Sequence, residues 1–380
     1  MDNVTNLQAA RERARSRRAA GVAADFDPGR LTLARRYAGL KRTQIAAAVG
    51  VTPAAITQYE KGAARPTLPV VAELSEALRV PPDFFRLGNP VPMLTADGAH
   101  FRSLRSTTVT ERESALAFAE LALAVFEAVE QFVELPPVRL PDLDVPDQLT
   151  TSDAVDLAGH AREAMGIPPG PVPNMVRLLE AHGVAVVQYD EGTPRVDAFS
   201  HHAATRPIVV LSSLKGDRAR RRFDCAHELG HLVMHHDTEP GSRLVENQAH
   251  SFAAEFLAPA DQLRPELPSR LDWAVFHELK RRWGMSLKSL VLQAFKLGRI
   301  GEATYQRGMK QLSIWGVPEP GPLGPPEAPV LLPRALSLVD SDHSISWLAD
   351  RTGLPPEIIA RVVTASGAHD DRPTLQIDPS

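Results

Sequence analysis

The densest chemistry in this 380-residue chain lies in one run, RRRFDCAHELGHLVMHH (220–236). His227 and His231 are four residues apart, so on a helix they sit about 40° from each other and both imidazoles can reach one cation. Glu228 projects about 60° from His231, close enough to hold and deprotonate a water on that cation. Zinc lowers the pKa of such a water to around 7, and the carboxylate takes the proton as the oxygen attacks a peptide carbonyl. The plainer alternative is a structural helix with two satisfied histidines. Chance matches to His-Glu-x-x-His are rare in a chain of this length. Gly230 and the apolar Leu229, Leu232 and Val233 fit a helix buried on its other face.

Zinc needs a third protein ligand and one open position. Downstream, VENQAHSFAAEFLAP (245–259) has a second helical pattern in which Glu246 and His250 share a face. Glu246 is the favoured third ligand. Glu255 is an alternative, although it points about 180° away from Glu246. His235 and His236 are further alternatives, with His235 better suited to packing or to ending the first helix. His250 is a candidate for orienting a ligand or stabilising an oxyanion. Cys225, on the opposite face from His227, reads as a small buried hydrophobe. It is the single cysteine of the chain. That count excludes a disulfide framework and any multi-cysteine zinc ribbon, so Zn2+ here must be held by histidine and carboxylate.

The elements that must position these groups follow from the flanking pattern. Residues 152–182 read as helix interrupted by PPGPVP (168–173). Three β-branched runs then predict short strands: VAVVQY (184–189), RVDAFS (195–200) and PIVVLS (207–212). Helices resume near Asp217 and continue to about Leu312. The run 316–333 contains seven prolines and reads as an extended linker. Beyond it lies a small helical tail whose SWLADRTGLPPEIIARVV faintly echoes a helix-turn-helix. Upstream, a long helix is expected from Glu111 to Glu134, with glutamates at 113, 120, 127 and 134 along one line and Ala, Leu, Phe and Val elsewhere. That pattern predicts packing on all sides but one, with a dimerisation seam as the alternative. PPVRLPDLDVP (136–146) reads as a linker. No tandem repeat is evident.

Charge is distributed unevenly. The net charge of −4 divides into +7 over residues 1–65 and −11 over the remainder. Histidine is equally uneven, with none in the first 65 residues and seven between His201 and His250. A basic head on an acidic body implies a polyanionic partner for the head alone. No apolar run approaches the roughly 18 residues of a membrane helix, and the start has no signal-peptide core, so the expectation is a cytoplasmic protein without a membrane partner.

Within the head, Asp27-Pro28 opens a helix through Tyr37, Thr43 can cap a second (QIAAAV) ending at Gly50, and Thr52-Pro53 opens a third ending at Gly62. Thr67 begins a fourth, and PPDFF (81–85) closes the set. Five short helical pieces with tight turns fit a compact DNA-binding domain.

Two family resemblances rest on these residues. QIAAAVGVTPAAITQYEKGAARP (44–66) resembles the XRE-type, lambda-repressor-like helix-turn-helix, through Gln44, Ala46 and Ala47 for close packing, Gly50 in the turn, Ile56 in the core, and Tyr59, Glu60, Gly62, Arg65 and Pro66. The resemblance implies that the third helix lies in the major groove of double-stranded operator DNA with Thr52, Ala54, Ala55 and Gln58 outward. Lys41, Arg42, Gln44, Lys61 and Arg65 would meet phosphates, and base readout would rest on Gln58 and Thr57. RFDCAHELGHLVMHH followed by ENQAHSFAAEFLAP resembles the ImmA/IrrE family of zinc metallopeptidases, over about 171 to 309. By that match His227, His231 and Glu246 correspond to zinc ligands and Glu228 to the general base. The family usually has Asn where this chain has His250. The implied substrate is a protein, commonly a helix-turn-helix repressor inactivated by cleavage.

The expected architecture is mainly α with a small β-sheet (α+β). It comprises a basic arm (1–25), a DNA-binding domain (26–90), a helical connector and linker (91–150), a zincin-like metallopeptidase domain (151–315), a proline-rich linker (316–333) and a small helical region (334–380). The expected function is a DNA-binding transcriptional regulator, operating as a possible homodimer, whose zinc endopeptidase cleaves a repressor or the chain itself. The alternative is a regulator whose peptidase-like domain only senses a ligand or metal. A third reading is a peptidase with a protein-binding head.

Overall fold

The computed structural model describes residues 25–86, 91–95, 99–101, 107–189, 198–213, 217–235, 242–339 and 345–367. All but the last residue of the expected basic arm, and His236, lie outside these.

The head is built from short, explicitly capped helices: α1 (Pro28–Tyr37), α2 (Arg42–Ala48), α3 (Pro53–Glu60) and α4 (Leu68–Ala77), closed by a 3-10 turn at Pro82–Phe85. The Asp27 carboxylate accepts from the Gly29 and Arg30 amides and Thr52 Oγ1 from Ala55 N, so side chains satisfy donors that have no partner inside the helix. The second helix starts at Arg42 rather than after Thr43. There the Gln44 side chain accepts from Lys41 N, which closes the helix start two residues earlier than a Thr43 cap would. Ala46 is buried as the close-packed position, but Ala47 is exposed and packs against nothing comparable. Ile45, Ile56, Val71, Leu74 and Phe85 form the centre of the head.

Helix α5 (Val109–Glu130) is the spine of the molecule. It was expected to keep one glutamate face in water, yet Glu120 is buried, and its Oε1 accepts from Arg36 Nη1 at 2.8 Å and from Leu94 N at 2.7 Å. Burial raises the Glu120 carboxyl above its ordinary range, while Arg36 and the Leu94 amide pull it back. The helix needs this internal partner because α1 covers one flank, the sheet another, and the C-terminal helices a third.

β1 (Ala99–Phe101), which precedes α5, joins three strands that follow α6 (Thr151–Ala164) and α7 (Met175–Ala181), namely β2 (Ala185–Tyr189), β3 (Ala198–His201) and β4 (Ile208–Ser212), in a sheet of order β1-β3-β4-β2. β4 pairs parallel with β2 and antiparallel with β3, and β1 lies antiparallel on the outer edge of β3. β1 falls in a stretch expected to be helical connector. Its three residues carry too little pattern to announce a strand. Period-two alternation sends Val187, Phe199 and Val210 toward α5, and Val186, Ala198, Val209 and Leu211 toward the other side. On that other side pack α8 (Arg218–Met234) and α9 (Arg243–Leu257), followed by α10 (Ala260–Glu266), α11 (Trp273–Trp283), α12 (Leu287–Lys296) and α13 (Glu302–Trp315).

The proline-rich run is extended only as far as Val330, since residues 331–333 begin the next helix, and it is a clipped strap rather than a spacer. Glu319 accepts from Leu287 N and Lys288 N at the start of α12 and from Lys280. Glu327 accepts from Met175 N at the start of α7 and from Arg222 Nη1 at 2.6 Å. Each carboxylate meets amides that a helix leaves unbonded. The strap leads into α14 (Leu331–Leu338), α15 (Ile345–Thr352) and α16 (Pro356–Ala365), which pack on α5 and reach the head. Arg30 donates to the Thr352 and Gly353 carbonyls, and Arg361 donates to the Tyr37 hydroxyl.

Buried Glu180 accepts from the Val330 and Leu331 amides where strap becomes helix. Burial pushes its carboxyl up to about 7, against those donors and the nearby Arg334 and Arg177. The folded protein therefore holds a proton that the unfolded chain releases near pH 4.5, and stability falls as pH rises through that window to about 7. Glu180→Gln keeps an acceptor for both amides and removes the titration. Its stability advantage over wild type, followed by urea denaturation, should grow between about pH 5 and 7 to an order of 3 kcal/mol and then level off. A pH-independent difference would contradict this account.

Candidate functional site

Helix α8 carries three side chains with no measurable exposure, His227, Glu228 and His231. Polar side chains on a helix this buried are held by specific partners, several of them from other elements. Ser200 on β3 donates to Glu228 Oε2 at 2.8 Å, fixing the plane of that carboxylate. Ser200 lies between Phe199 and His201, so the strand's alternation turns its hydroxyl to the α8 side.

Helix α9 crosses α8 at Gly230, where an added Cβ would stand 3.0 Å from the Phe252 ring. This close approach brings Glu246 over the two histidines. His227 Nε2 lies 3.4 Å from Glu246 Oε2, His231 Nε2 lies 3.6 Å from Glu246 Oε1, and the two Nε2 atoms are 3.1 Å apart. Zinc–nitrogen and zinc–oxygen bonds of 2.0–2.2 Å at tetrahedral angles require donors roughly 3.3 Å apart. The two Nε2 atoms have about that spacing, and the Glu246 carboxylate offers an oxygen to each, Oε2 to His227 and Oε1 to His231. The three residues could hold such an ion, with Glu246, whose side chain is 18% exposed, marking the side from which it is reached.

A hydrogen-bond chain behind His231 decides which of its nitrogens faces the other two donors. Gln248 Nε2 donates to the Leu149 carbonyl, which can only accept, so Gln248 Oε1 faces His235. His235 Nε2 must then carry hydrogen, at 3.0 Å from Oε1, which leaves Nδ1 of the neutral ring as an acceptor. That atom lies 3.0 Å from His231 Nδ1, which donates to it. The Nε2 lone pair of His231 is thereby left to point at His227 and Glu246. Sequence reasoning placed His235 at the helix end and passed over Gln248 and Ser200. The one signal for Gln248 was a polar residue within the apolar stripe of Val245, Ala249 and Phe252.

His250 packs its ring 4.6 Å from that of His227 and 5.6 Å from that of Phe223, and its Nδ1 lies 2.6 Å from the Glu246 carbonyl. It therefore sits behind the Glu246 backbone, a turn away along α9. Glu255 is not part of the group, since its carboxylate accepts from Ala260 N at the helix end. Cys225 is fully buried in the core between α8 and the sheet, and burial pushes its thiol up.

On the head, Lys41, Gln44, Thr52, Ala54, Gln58, Lys61 and Arg65 are exposed on or beside α2 and α3. Ala55 and Thr57 are half-buried. Thr57 already donates its hydroxyl to the Pro53 carbonyl, which removes it as a donor to a base edge. Arg42 gives its Nε to Glu60, which also holds Arg35, so it ties α2 to α3 and, through Glu60, to α1 as well as facing solvent.

Residues 179–294 match the family model described as IrrE N-terminal-like domain. That stretch spans β2 to α12 and contains every donor of the metal-binding geometry. Residues 33–85 match the helix-turn-helix model. The chain thus joins a helix-turn-helix DNA-binding domain to an IrrE-like domain in an α+β architecture. No curated protein matches the chain. No described helix is long and apolar enough to cross a membrane.

If Gln248 sets the His231 tautomer, Gln248→Leu should weaken Zn2+ binding by about 10- to 100-fold, measured by competition with a chromophoric chelator. Unchanged affinity would contradict that role.

Proposed function

We propose that the chain is a DNA-binding regulator whose IrrE-like domain is a zinc-dependent endopeptidase acting on a protein, a partner repressor or another copy of the chain. The observation that carries this reading is the placement of the Glu228 carboxylate, held by Ser200, one residue from His227 and beside His227, His231 and Glu246, whose ligand atoms gather within 4.8 Å of one another. His227, His231 and Glu246 are the proposed ligands. Bound there, Zn2+ supplies Lewis acidity for activating water and polarising a carbonyl. Glu228 is the proton carrier: its carboxylate accepts the proton of the attacking water and returns it to the departing amine. Ser200 keeps the carboxylate oriented through both transfers. The buried imidazoles and the Phe223 ring exclude bulk water, which strengthens every charge interaction at the site.

The head supplies location. Lys41, Gln44, Lys61 and Arg65 are the proposed phosphate contacts. Gln58, with Thr52 and the methyls of Ala54 and Ala55, forms the base-facing surface of α3, and a homodimer would read two half-sites.

One observation favours the second reading, a sensor without proteolysis. The outer edge of β3, the strand that carries Ser200, is already paired by β1, so an extended peptide cannot add to that edge while β1 stays there.

Glu228→Gln separates the two. The variant should keep zinc and shift operator DNA like wild type, while cleavage of a matched repressor falls by about 10²- to 10⁴-fold. Equal cleavage by both proteins would exclude the assigned proton carrier. Stoichiometric zinc with no cleavage by either would select the sensor.

A further inference from the structure

A cavity of about 1140 Å³ opens on the far end of α8 from the metal-binding group. It lies at the carboxyl ends of the parallel strands β2 and β4, where Gln188 and Ser213 reach it, and against the first turn of α8. In open sheets with parallel strands this is where ligands bind, and the amino end of a 17-residue helix favours negative charge. Four guanidinium groups line it: Arg177 from α7, Arg218 and Arg221 from α8, and Arg361 from α16. Among the described lining residues the one carboxylate is Glu327, which is already bonded to Arg222 and to the first amides of α7.

Arg221 is the second, independent observation. It is 4% exposed, and its Nη2 donates to the Ser212 carbonyl at 3.0 Å. Its Nη1 has no hydrogen-bond partner among the described residues. A buried guanidinium nitrogen without an acceptor is costly, and desolvation lowers the Arg221 pKa accordingly. An acceptor carrying negative charge would remove that cost.

We propose that this cavity binds a small organic anion through a carboxylate or phosphate group, with Arg221 as the buried anchor and Arg218, Arg177 and Arg361 as the rim. The site does not depend on the peptidase reading. It is connected to both halves of the molecule, since Arg221 and His227 share one helix six residues apart. Arg361 also donates to the Tyr37 hydroxyl on α1 of the head. An anion that draws Arg361 into the cavity competes with Tyr37, which gives the ligand a route to DNA binding.

The test is calorimetric titration of the full-length protein with inorganic phosphate and, separately, malonate, comparing wild type with Arg221→Leu and Arg361→Gln. Wild type should bind at least one of the two probes saturably at one site per chain, and the probe it prefers identifies the anion class. Arg221→Leu should weaken that binding by about tenfold or more, the scale of one lost charge-assisted hydrogen-bond pair. Arg361→Gln changes an exposed side chain of the rim and should also weaken binding, so the proposal stays testable if Arg221→Leu does not fold. Absence of saturable binding of either probe overturns the site. So does binding that survives unchanged in the folded variants, because it would then belong to the metal centre or to the basic head.

Discussion

Two imidazoles and a carboxylate gathered with donor atoms 3.1 to 3.6 Å apart inside a protein must share a proton or a cation. Much of the surrounding structure serves that constraint. Helix α8 must be buried to dehydrate the pair, so the sheet and α9 close over it. Glycine at 230 lets α9 approach until Glu246 reaches both rings. The Leu149–Gln248–His235 chain keeps hydrogen off the inner nitrogen of His231, and Ser200 orients the carboxylate next door.

The same helix ties the centre to the remainder of the chain. Arg222 is bonded to Glu327 of the strap, and the strap continues into helices that grip α5 and the head. Tyr189, at the end of β2, meets Ser114 of α5, whose hydroxyl also reaches the Tyr37 carbonyl of α1. Sheet, spine and DNA-facing head are therefore linked by short polar contacts set in one continuous apolar cluster. A change at either end of α8 has a physical path to the head.

What could be read in the sequence was what is local. His227, Glu228 and His231 lie within five residues, and Glu246 stands out as the favoured candidate in the next helical pattern, with Glu255, His235 and His236 as alternatives. Caps such as Asp27 and Thr52 are likewise written in adjacent residues. What escaped depends on contacts far apart in the chain. Glu120 looks like one rung of an exposed glutamate ladder, and its burial is explained by Arg36, 84 residues away, and by the Leu94 amide, 26 residues away. Ser200 is a small polar residue in a four-residue strand, and Leu149 contributes a carbonyl that any residue would supply. The proline run announces an extended chain but not that Glu319 and Glu327 clip it to two helix starts. β1 is too short to leave a periodic trace.

The account rests most heavily on His227, His231 and Glu246 forming one metal site. Elemental analysis of the full-length protein after exhaustive dialysis, wild type beside His231→Ala and Glu246→Gln, tests this most directly. The structure predicts about one zinc per chain in wild type and marked depletion in both variants at unchanged helical content. Wild type that holds no zinc, or a His231→Ala protein that keeps its full complement, would contradict it.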